Sequence, residues 1–402
     1  MNKINDKLIK KWVDEGTISP DQARKMSEDV TANRKEETSS KLIVTISTIG
    51  SLLLGIGAIL FISANWQSIS SLGKVLLLLA STFGAYYAGY VLKYEKKNLP
   101  KVGDSLIFLG ALLFGASVFL IAQIYNINAN NHSLLLIWLA GVLPMVYGFY
   151  SIPIAALSAL LFLAWIGFYI FRNADFYIAS RDFNLFPALY LVIGILLFNV
   201  GGIHYLWKEL KGVARTYRLI AIKTVMVSLF LLTFEWFSRQ PASYGYYHST
   251  AEGWKISTQF TAGFVLFAIA SLLCTVGSLF FRPVKSDTDM LENGIGLGLI
   301  GIAFLFFFFP STVSIYTLLF NLIMAGLTLT VLVVGYRRED MTLVNIGMGW
   351  GGFFILVKYF DFFWSLLPRS LFFMVGGLIL VFGGISLERK RRELGQKFSK
   401  TE

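Results

Sequence analysis

The fold is decided by residues 42–125, which read LIVTISTIGSLLLGIGAILFISANWQSISSLGKVLLLLASTFGAYYAGYVLKYEKKNLPKVGDSLIFLGALLFGASVFLIAQIY. This stretch holds three apolar segments, each long enough to cross a bilayer. An uncharged turn, ANWQSIS at 64–70, separates the first segment from the second, and a basic turn, KYEKK at 93–97, separates the second from the third. Because lysine-rich loops stay on the cytoplasmic side, the stretch predicts on which side of the membrane each later loop lies.

The composition of the whole chain indicates an integral membrane protein. Of its 402 residues, 55% are hydrophobic and 15% are charged, and the mean hydropathy is +0.64. A water-soluble chain of this length would expose more apolar surface than it could bury. The formal net charge is +11, but lysine and arginine gather in the two tails and in alternate loops. We therefore assign this charge to orientation and to contact with anionic membrane lipids, and expect no nucleic-acid partner.

Twelve apolar segments follow one another along the chain, each close to the ~20 residues that span a bilayer. They lie at 42–63, 72–92, 104–124, 133–150, 152–171, 185–206, 218–237, 258–281, 294–310, 312–334, 342–363 and 368–387. The predicted fold class is all-α, a polytopic bundle of about 12 transmembrane helices with a short N-terminal cytoplasmic helical hairpin. The breaks at 148–153 and 310–311 are short, and since proline can kink a helix as well as end it, whether they are true turns stays open.

The loop charges predict that both ends of the chain are cytoplasmic. Lysine and arginine occupy the loops at 93–101, 208–218, 282–285 and 337–338 and the C-terminal run at 389–392, whereas the alternate loops are nearly neutral. We expect no cleavable signal peptide, because no short apolar core followed by small residues appears near the N-terminus. The first membrane segment is then expected to direct insertion.

Three parts are predicted along the chain: a cytoplasmic helical hairpin at 1–41, a helix bundle at 42–387 and a basic cytoplasmic tail at 388–402. In the hairpin, three apolar residues repeat every four positions and share one helical face: Ile4, Leu8 and Trp12. Ser19 and Gln22 have the spacing of a capping box and predict the start of a second helix. The hairpin either packs as a solvated tail or docks a cytoplasmic protein partner through residues 1–30.

Glycine is dense in the first, third, ninth, eleventh and twelfth apolar segments. Small residues let helix backbones approach closely in lipid, where packing holds helices together. We predict that these segments form the tight interior of the bundle.

Charged side chains near the outer ends of the segments form one candidate site, because a charge in the membrane costs free energy unless it is paired. The candidate cluster consists of Lys74, Glu235, Lys358, Asp361 and Arg369. Lys358 and Asp361 are about one helical turn apart, so they can pair. The alternative for Lys74 and Arg369 is that both extend to the outer headgroups.

Polar and aromatic residues at two outer membrane borders form a second candidate site. The candidate cavity residues are Asn65, Trp66, Gln67, Gln123, Tyr125 and Asn126. Tryptophan and tyrosine anchor helix ends at the headgroups, and amides can pair with open backbone groups. If the borders meet, they form an outer cavity for a small solute or a lipid headgroup; otherwise they are two anchored helix ends.

These borders resemble a bacterial family of predicted multi-pass membrane proteins that is classed as a domain of unknown function. The resemblance rests on Asn-Trp at 65–66, Gly-Ala-Leu-Leu-Phe-Gly-Ala at 110–116, Gln-Ile-Tyr-Asn at 123–126 and the N-terminal hairpin, and covers roughly residues 1–150. The core of the bundle that resembles the family is then 42–150, and 151–387 holds the remaining helices. The resemblance implies a multi-helix fold in a membrane, for which we expect the bacterial inner membrane, and implies no activity.

No catalytic, nucleotide or metal motif stands out. The histidines are scattered at 132, 204 and 248, and neither a Cys-x-x-Cys pair nor a P-loop occurs. We therefore expect no enzyme activity and no cofactor. Two hypotheses remain. The protein is a secondary transporter or a solute- or lipid-binding protein, which glycine-broken helices favour. Alternatively, it is a non-transporting envelope protein that anchors or regulates a partner through its hairpin, which the lack of a deep acidic residue favours.

Overall fold

The computed structural model is a bundle of α-helices. It describes residues 9, 12–13, 15, 18–64, 70–127, 132–171, 185–238, 258–281, 287–309, 313–363 and 369–401. No strand occurs in this part of the chain, which confirms the predicted all-α class.

The helices are numbered here in chain order. They are α1 (Pro20–Ala64), α2 (Ser71–Tyr90), α3 (Pro100–Ile124), α4 (His132–Phe149), α5 (Ile152–Phe171), α6 (Phe186–His204), α7 (Lys211–Leu232), α8 (Glu235–Ser238), α9 (Thr258–Phe281), α10 (Asp287–Phe308), α11 (Val313–Arg337), α12 (Met341–Phe363) and α13 (Arg369–Thr401). A π-helical turn extends α2, and a 3-10 turn precedes α7.

Nine helices in the described part of the chain, α2 to α6 and α9 to α12, are long and apolar enough to cross a membrane. The chain is therefore a multi-pass membrane protein whose apolar helices contact lipid. The other three predicted segments also coincide with helices. Lysine and arginine occupy the first half of α7, and α13 continues into a basic run. In α1 the apolar part found among the described side chains is Thr45–Gly57.

The break between α4 and α5 is a true turn, at which Tyr150 has a φ of 50°. The side chains of Lys93 and Tyr94 each donate a hydrogen bond of 2.9 Å to the carbonyl oxygen of Phe149. The uncharged turn therefore lies beside the basic turn at 93–97, at the same end of the bundle. The charge pattern of the sequence could not assign this turn to a side.

The chain also reverses between α10 and α11. The Phe306 ring lies 5.2 Å from the rings of both Tyr316 and Phe320, and the Tyr316 hydroxyl donates to the Leu305 carbonyl at 3.1 Å. Contacts between residues on either side of the break require the two helices to run back along each other. Residues 310–312 themselves lie outside the described part of the chain.

The loops separate onto two ends of the bundle. Arg215, in the first half of α7, contacts Asp340, which precedes α12. A Cβ atom on Gly212, also in α7, would lie 3.3 Å from Ile152 at the start of α5. We call this end, together with Lys93, the basic end. At the opposite, neutral end, Lys358 contacts the Thr233 carbonyl beyond α7. This separation agrees with the alternation that the loop charges predict.

The N-terminal tail and the first apolar segment form one continuous helix, α1, of 45 residues. The predicted capping box is confirmed at its start: the Ser19 amide donates to Gln22 Oε1 at 2.9 Å, and the Gln22 amide donates to Ser19 Oγ at 3.3 Å. At 1.5 Å per residue the helix is about 68 Å long, more than twice the ~30 Å of a hydrocarbon core. No helix end marks the predicted domain boundary at residue 41. Ile4 and Leu8 lie outside the described residues.

The centre of the bundle is α6, the most buried of the nine spans. It packs closely against α7: a Cβ atom on Gly194 would lie 2.7 Å from the Val225 side chain, and one on Gly201 would lie 3.0 Å from the Ala214 carbonyl. Phenylalanine rings fill the space between α9 and α10, where Phe264 and Phe307 stack with centroids 4.1 Å apart.

The glycine-based prediction of the interior is therefore wrong for α10, which contains the ninth segment. Gly294, Gly298 and Gly301 have no atom of the described residues within 4 Å of an added Cβ. The prediction holds for the third segment, where the Trp138 ring packs directly on Gly115. Glycine density alone does not indicate close packing, because a glycine can also face lipid.

Candidate functional site

Two members of the predicted charge cluster, Lys358 and Asp361, form an ion pair at the neutral end. Lys358 Nζ lies 2.9 Å from Asp361 Oδ2, donates to the Thr233 carbonyl at 2.9 Å and sits 4.1 Å from the centroid of the Phe234 ring. Lys358 is buried, whereas the Asp361 side chain is 42% exposed. The lysine thereby joins α12 to the end of α7.

The structure also describes two other members of the predicted cluster. Lys74 is buried in the first turn of α2, and Glu235 is exposed at the start of α8. Glu235 directly follows Thr233 and Phe234, the two residues beyond α7 that Lys358 contacts. Arg369 begins α13, but its side chain lies outside the described part of the structure.

Half of the predicted outer cavity residues lie outside the described part of the chain. Asn65, Trp66 and Gln67 are not among the described residues. Three further members, Gln123, Tyr125 and Asn126, are exposed at the C-terminal end of α3, and Tyr125 has 69% of its surface accessible. The helices that carry the two borders do pack together, since Gly55 of α1 faces Leu109 and Leu112 of α3.

An apolar cavity of about 100 Å³ lies between α6, α7, α10 and α11. Its walls are isoleucine, leucine, valine and phenylalanine side chains from these helices, with Leu343 of α12 contributing at the edge. Two polar residues, Thr330 and Glu292, also line it. The remaining lining residues are Ile195, Phe198, Ile222, Val225, Ile295, Gly296, Leu299, Leu327, Val331 and Val334.

Two arginines hold the carboxylate of Glu292 at the basic end of this cavity. Arg338 Nη1 lies 2.6 Å from Glu292 Oε1, and Arg218 Nη1 lies 3.5 Å from Glu292 Oε2. The three side chains retain 29%, 18% and 15% exposure for Arg338, Arg218 and Glu292 respectively. We call these residues the ion triad. Partial burial strengthens their attraction relative to bulk water, because the effective dielectric constant is lower.

Further contacts fix the arginines around the triad. The Arg218 guanidinium stacks over the Phe198 ring at 4.3 Å, and Phe198 itself lines the cavity. Arg215, one turn earlier in α7, donates to both carboxylate oxygens of Asp340 at 3.1 Å. The Asp340 carboxylate also accepts from the Thr342 amide at 2.9 Å, which caps the start of α12. The charge of Arg215 is thus balanced by Asp340.

Two buried polar residues, Asn199 and Thr275, lie next to residues that line the cavity. Asn199 of α6 donates to Thr275 Oγ1 of α9 at 2.7 Å, and it also donates to the Ile195 carbonyl at 3.0 Å. A Cβ atom on Gly296 would lie 3.7 Å from Ile195 and 3.9 Å from Thr275. Asn199 therefore joins α6 to α9 by a buried interhelical hydrogen bond.

The buried histidine at the basic end belongs to a chain of aromatic contacts. His204 Nε2 lies 3.0 Å from the Tyr147 hydroxyl, and Nδ1 lies 2.7 Å from the Val200 carbonyl. Tyr217 packs against the same imidazole and its hydroxyl lies 2.9 Å from Ser158 Oγ. Within the part of the chain that the structure describes, no group of three or more His, Cys, Asp or Glu side chains is placed to hold a metal ion.

Comparison with known protein families finds a match for the first part of the chain. Residues 10–155 match the family described as Predicted membrane protein (DUF2157). The family resemblance that the membrane borders predict is thereby confirmed, and this family is a domain of unknown function. No curated protein and no solved structure matches the chain.

The apolar cavity lies outside the stretch that matches DUF2157. Its lining residues run from Ile195 to Leu343, whereas the match ends at residue 155, just after the start of α5. The matched stretch supplies α1 to α4, and α4 contacts α6 directly through Tyr147 and His204. Features of the cavity are therefore features of the later helices and cannot be read from the matched family.

Sequence reasoning did not identify the ion triad. The loop charges assign Arg218 and Arg338 to orientation, and Glu292 precedes the predicted ninth segment, so the sequence places none of the three in a site. One signal is available: Glu292 is an acidic residue at the membrane border of the predicted ninth segment. Such a residue can pair with the arginines that surround it.

Proposed function

We propose that this protein is a multi-pass protein of the bacterial inner membrane, with both termini in the cytoplasm, that binds a lipid or another amphiphile. The observation that carries the proposal is an apolar cavity of about 100 Å³ with an ion triad at one end. A ligand site of this kind combines apolar walls with a few polar groups that orient the ligand. An amphiphile matches both features, because its tail is apolar and its head is polar.

The location of the cavity supports an amphiphile over a water-soluble solute. The helices around it present apolar residues to lipid, so a ligand dissolved in the bilayer has a short path to the cavity. By the positive-inside rule, the basic end corresponds to the cytoplasmic side. The headgroup of a bound amphiphile would then lie near the cytoplasmic membrane surface.

Binding is proposed here as the function, and transport is the less supported interpretation. Arg215 and Asp340 hold α7 to α12 at the basic end, and Lys358 holds them together again at the neutral end. Alternating access requires groups of helices to move against each other. Contacts at both ends of α7 and α12 oppose such a motion between these two helices.

The proposal is tested by a substitution that fills the cavity with a larger side chain. In Leu299→Trp the larger side chain occupies space that Leu299 borders from α10. The matched control is Leu305→Trp, on the same helix at a position that is 50% exposed. Purified full-length protein in lipid nanodiscs is dialysed against radiolabelled decanoate and decanol, with empty nanodiscs as the blank. Leu299→Trp is expected to lose binding of both amphiphiles, while Leu305→Trp retains it. Equal binding by both variants would refute the proposal.

Docking of a cytoplasmic protein by the N-terminal region is a second candidate function. It is favoured by the length of α1, about 68 Å, since this helix continues well beyond the ~30 Å of the hydrocarbon core. Along Pro20–Lys25 the described side chains are mostly exposed, so this turn of α1 is open to a partner.

Deletion of residues 1–30 tests this second candidate. Insertion should be unaffected, because the first apolar segment and the basic residues at 34, 35 and 41 remain. If the hairpin docks a partner, the deletion abolishes co-purification of that partner, and Leu299→Trp does not. If the deletion keeps a partner that Leu299→Trp loses, docking by the hairpin is excluded.

A further inference from the structure

We infer that the ligand is a two-chain lipid of the membrane leaflet at the basic end, and that one of its acyl chains enters the apolar cavity sideways between α10 and α11. This inference rests on the proposed function and adds the class of lipid and its route of entry. We call the opening the slot, and its borders are Ile295 and Gly298 of α10 and Gly326 and Thr330 of α11. The headgroup and the second chain of the lipid stay outside the slot, in the surrounding bilayer.

The helices α10 and α11 are joined at both ends of the slot. Near the neutral end, the Phe306 ring contacts the rings of Tyr316 and Phe320. At the basic end, Arg338 Nη1 lies 2.6 Å from Glu292 Oε1. Within the described residues, α11 packs much more closely along α12 than along α10. The two joined ends therefore frame an opening between α10 and α11.

Small residues border the slot on both helices. Gly298 of α10 and Gly326 of α11 have no atom of the described residues within 4 Å of an added Cβ atom. Thr330 lies about one turn after Gly326, donates to its carbonyl oxygen at 2.9 Å and lines the cavity. Gly326 is exposed and Thr330 is half-buried. This edge of α11 therefore runs from the lipid-facing surface into the cavity.

The cavity lies in the half of the membrane next to the basic end. Its lining residues run from Glu292 to Leu299 on α10 and from Leu327 to Val334 on α11. At 1.5 Å per residue, each range covers about 10 Å along its helix. One leaflet contributes about 15 Å of the ~30 Å hydrocarbon core. The slot therefore faces the acyl chains of the leaflet at the basic end.

The size of the cavity limits how much of a lipid enters it. An apolar cavity of about 150 Å³ holds one benzene molecule, and this cavity has about 100 Å³. Part of one acyl chain fits this volume, whereas a second chain or a headgroup does not. A two-chain lipid binds here because the slot lets the rest of the molecule remain in the bilayer. The lipids around the slot are themselves two-chain lipids, so a chain reaches the cavity without crossing water.

Photolabelling from the bilayer tests the inference. Full-length protein is placed in phosphatidylcholine nanodiscs that contain a trace of phosphatidylcholine with a diazirine in the middle of one acyl chain. After illumination, mass spectrometry locates the labelled residues. Leu299 is 5% exposed, so a chain labels it from inside the cavity, whereas Leu322 on the surface of α11 is 64% exposed and serves as the internal standard. We expect label at both residues in the wild-type protein, and label at Leu322 without label at Leu299 would overturn the inference.

Substitution of Thr330 by tryptophan closes the slot. Thr330→Trp is expected to lower the label at Leu299, relative to Leu322, by about tenfold, which corresponds to overpacking by about 1.4 kcal/mol. The matched control is Leu329→Trp, at the neighbouring residue, which is 62% exposed and is expected to keep the label. If Thr330→Trp does not fold, Gly326→Trp closes the slot from its exposed edge. Equal label at Leu299 in the slot variant and the control would overturn entry through the slot.

Dialysis against decanol separates this inference from the proposed function. Decanol binding that Leu299→Trp loses, together with no label at Leu299 in the wild-type protein, would overturn the inference and leave amphiphile binding intact. Equal decanol binding by Leu299→Trp and Leu305→Trp would overturn the proposed function itself.

Discussion

The close crossing of α2 and α3 predicts that a single methyl group added at Gly89 destabilises the protein. At this crossing Gly89 and Gly103 meet backbone to backbone: a Cβ atom on Gly89 would lie 2.7 Å from the Gly103 carbonyl oxygen and 2.9 Å from the Ile107 amide nitrogen. Both neighbours are backbone atoms of α3, so they cannot rotate away. Gly89→Ala therefore forces the two helices apart.

The magnitude follows from two opposing effects. Overpacking of a tight contact costs about 1–3 kcal/mol, and a clash with backbone belongs at the upper end. Alanine also favours the helix over glycine by up to about 1 kcal/mol. We expect Gly89→Ala to lower the free energy of unfolding by about 2 kcal/mol after this offset.

Gly84→Ala is the matched control, because Gly84 lies in the same helix and no atom of the described residues is within 4 Å of its added Cβ. This variant is expected to be unchanged or more stable by up to about 1 kcal/mol. Unfolding by sodium dodecyl sulfate in mixed micelles, followed by tryptophan fluorescence, measures both. A Gly89→Ala protein as stable as Gly84→Ala would show that the helices do not cross at these glycines.

Two further outcomes are expected. Asp361→Asn should lower the free energy of unfolding by about 1–2 kcal/mol, and its effect should be smaller in a Lys358→Met background, because the two side chains share one interaction; additive losses in a double-mutant cycle would exclude their coupling. In a Cys274→Ala background, cysteine at position 130 should react with an impermeant thiol reagent from outside intact cells, and cysteine at position 98 should not; the reverse labelling would contradict the predicted orientation.

The positions of the helices could be predicted from sequence because the signals are local. Each of the twelve apolar segments coincides with a helix, and the capping box at Ser19 and Gln22 forms as its spacing predicts. The continuity of α1 could not be predicted, since a polar segment and an apolar segment can each be helical whether or not a turn joins them. No proline and no pair of adjacent glycines occurs at 21–64, so no residue there breaks the helix, and α1 is continuous.

Contacts between distant helices were mostly beyond sequence reasoning. Lys358 and Asp361 are one turn apart, so their pairing could be proposed from spacing alone. Glu292 and Arg338 are far apart in sequence, and their pairing depends on how α10 packs beside α11. The apolar cavity depends on the same packing, because two of its wall helices, α6 and α11, have sequences that are apolar on all sides and give no preferred face.

Two charged contacts, one at each end of the bundle, join α7 to α12 and together restrict how the cavity can admit a ligand. Lys358 joins α12 to the carbonyl of Thr233 at the neutral end, and Arg215 joins α7 to Asp340 at the basic end. A ligand that entered by separating α7 from α12 at the neutral end would have to break the buried contact of Lys358 with the Thr233 carbonyl, which costs more than breaking the exposed pair of Arg215 and Asp340 at the basic end. Separation of these two helices is therefore less costly at the basic end.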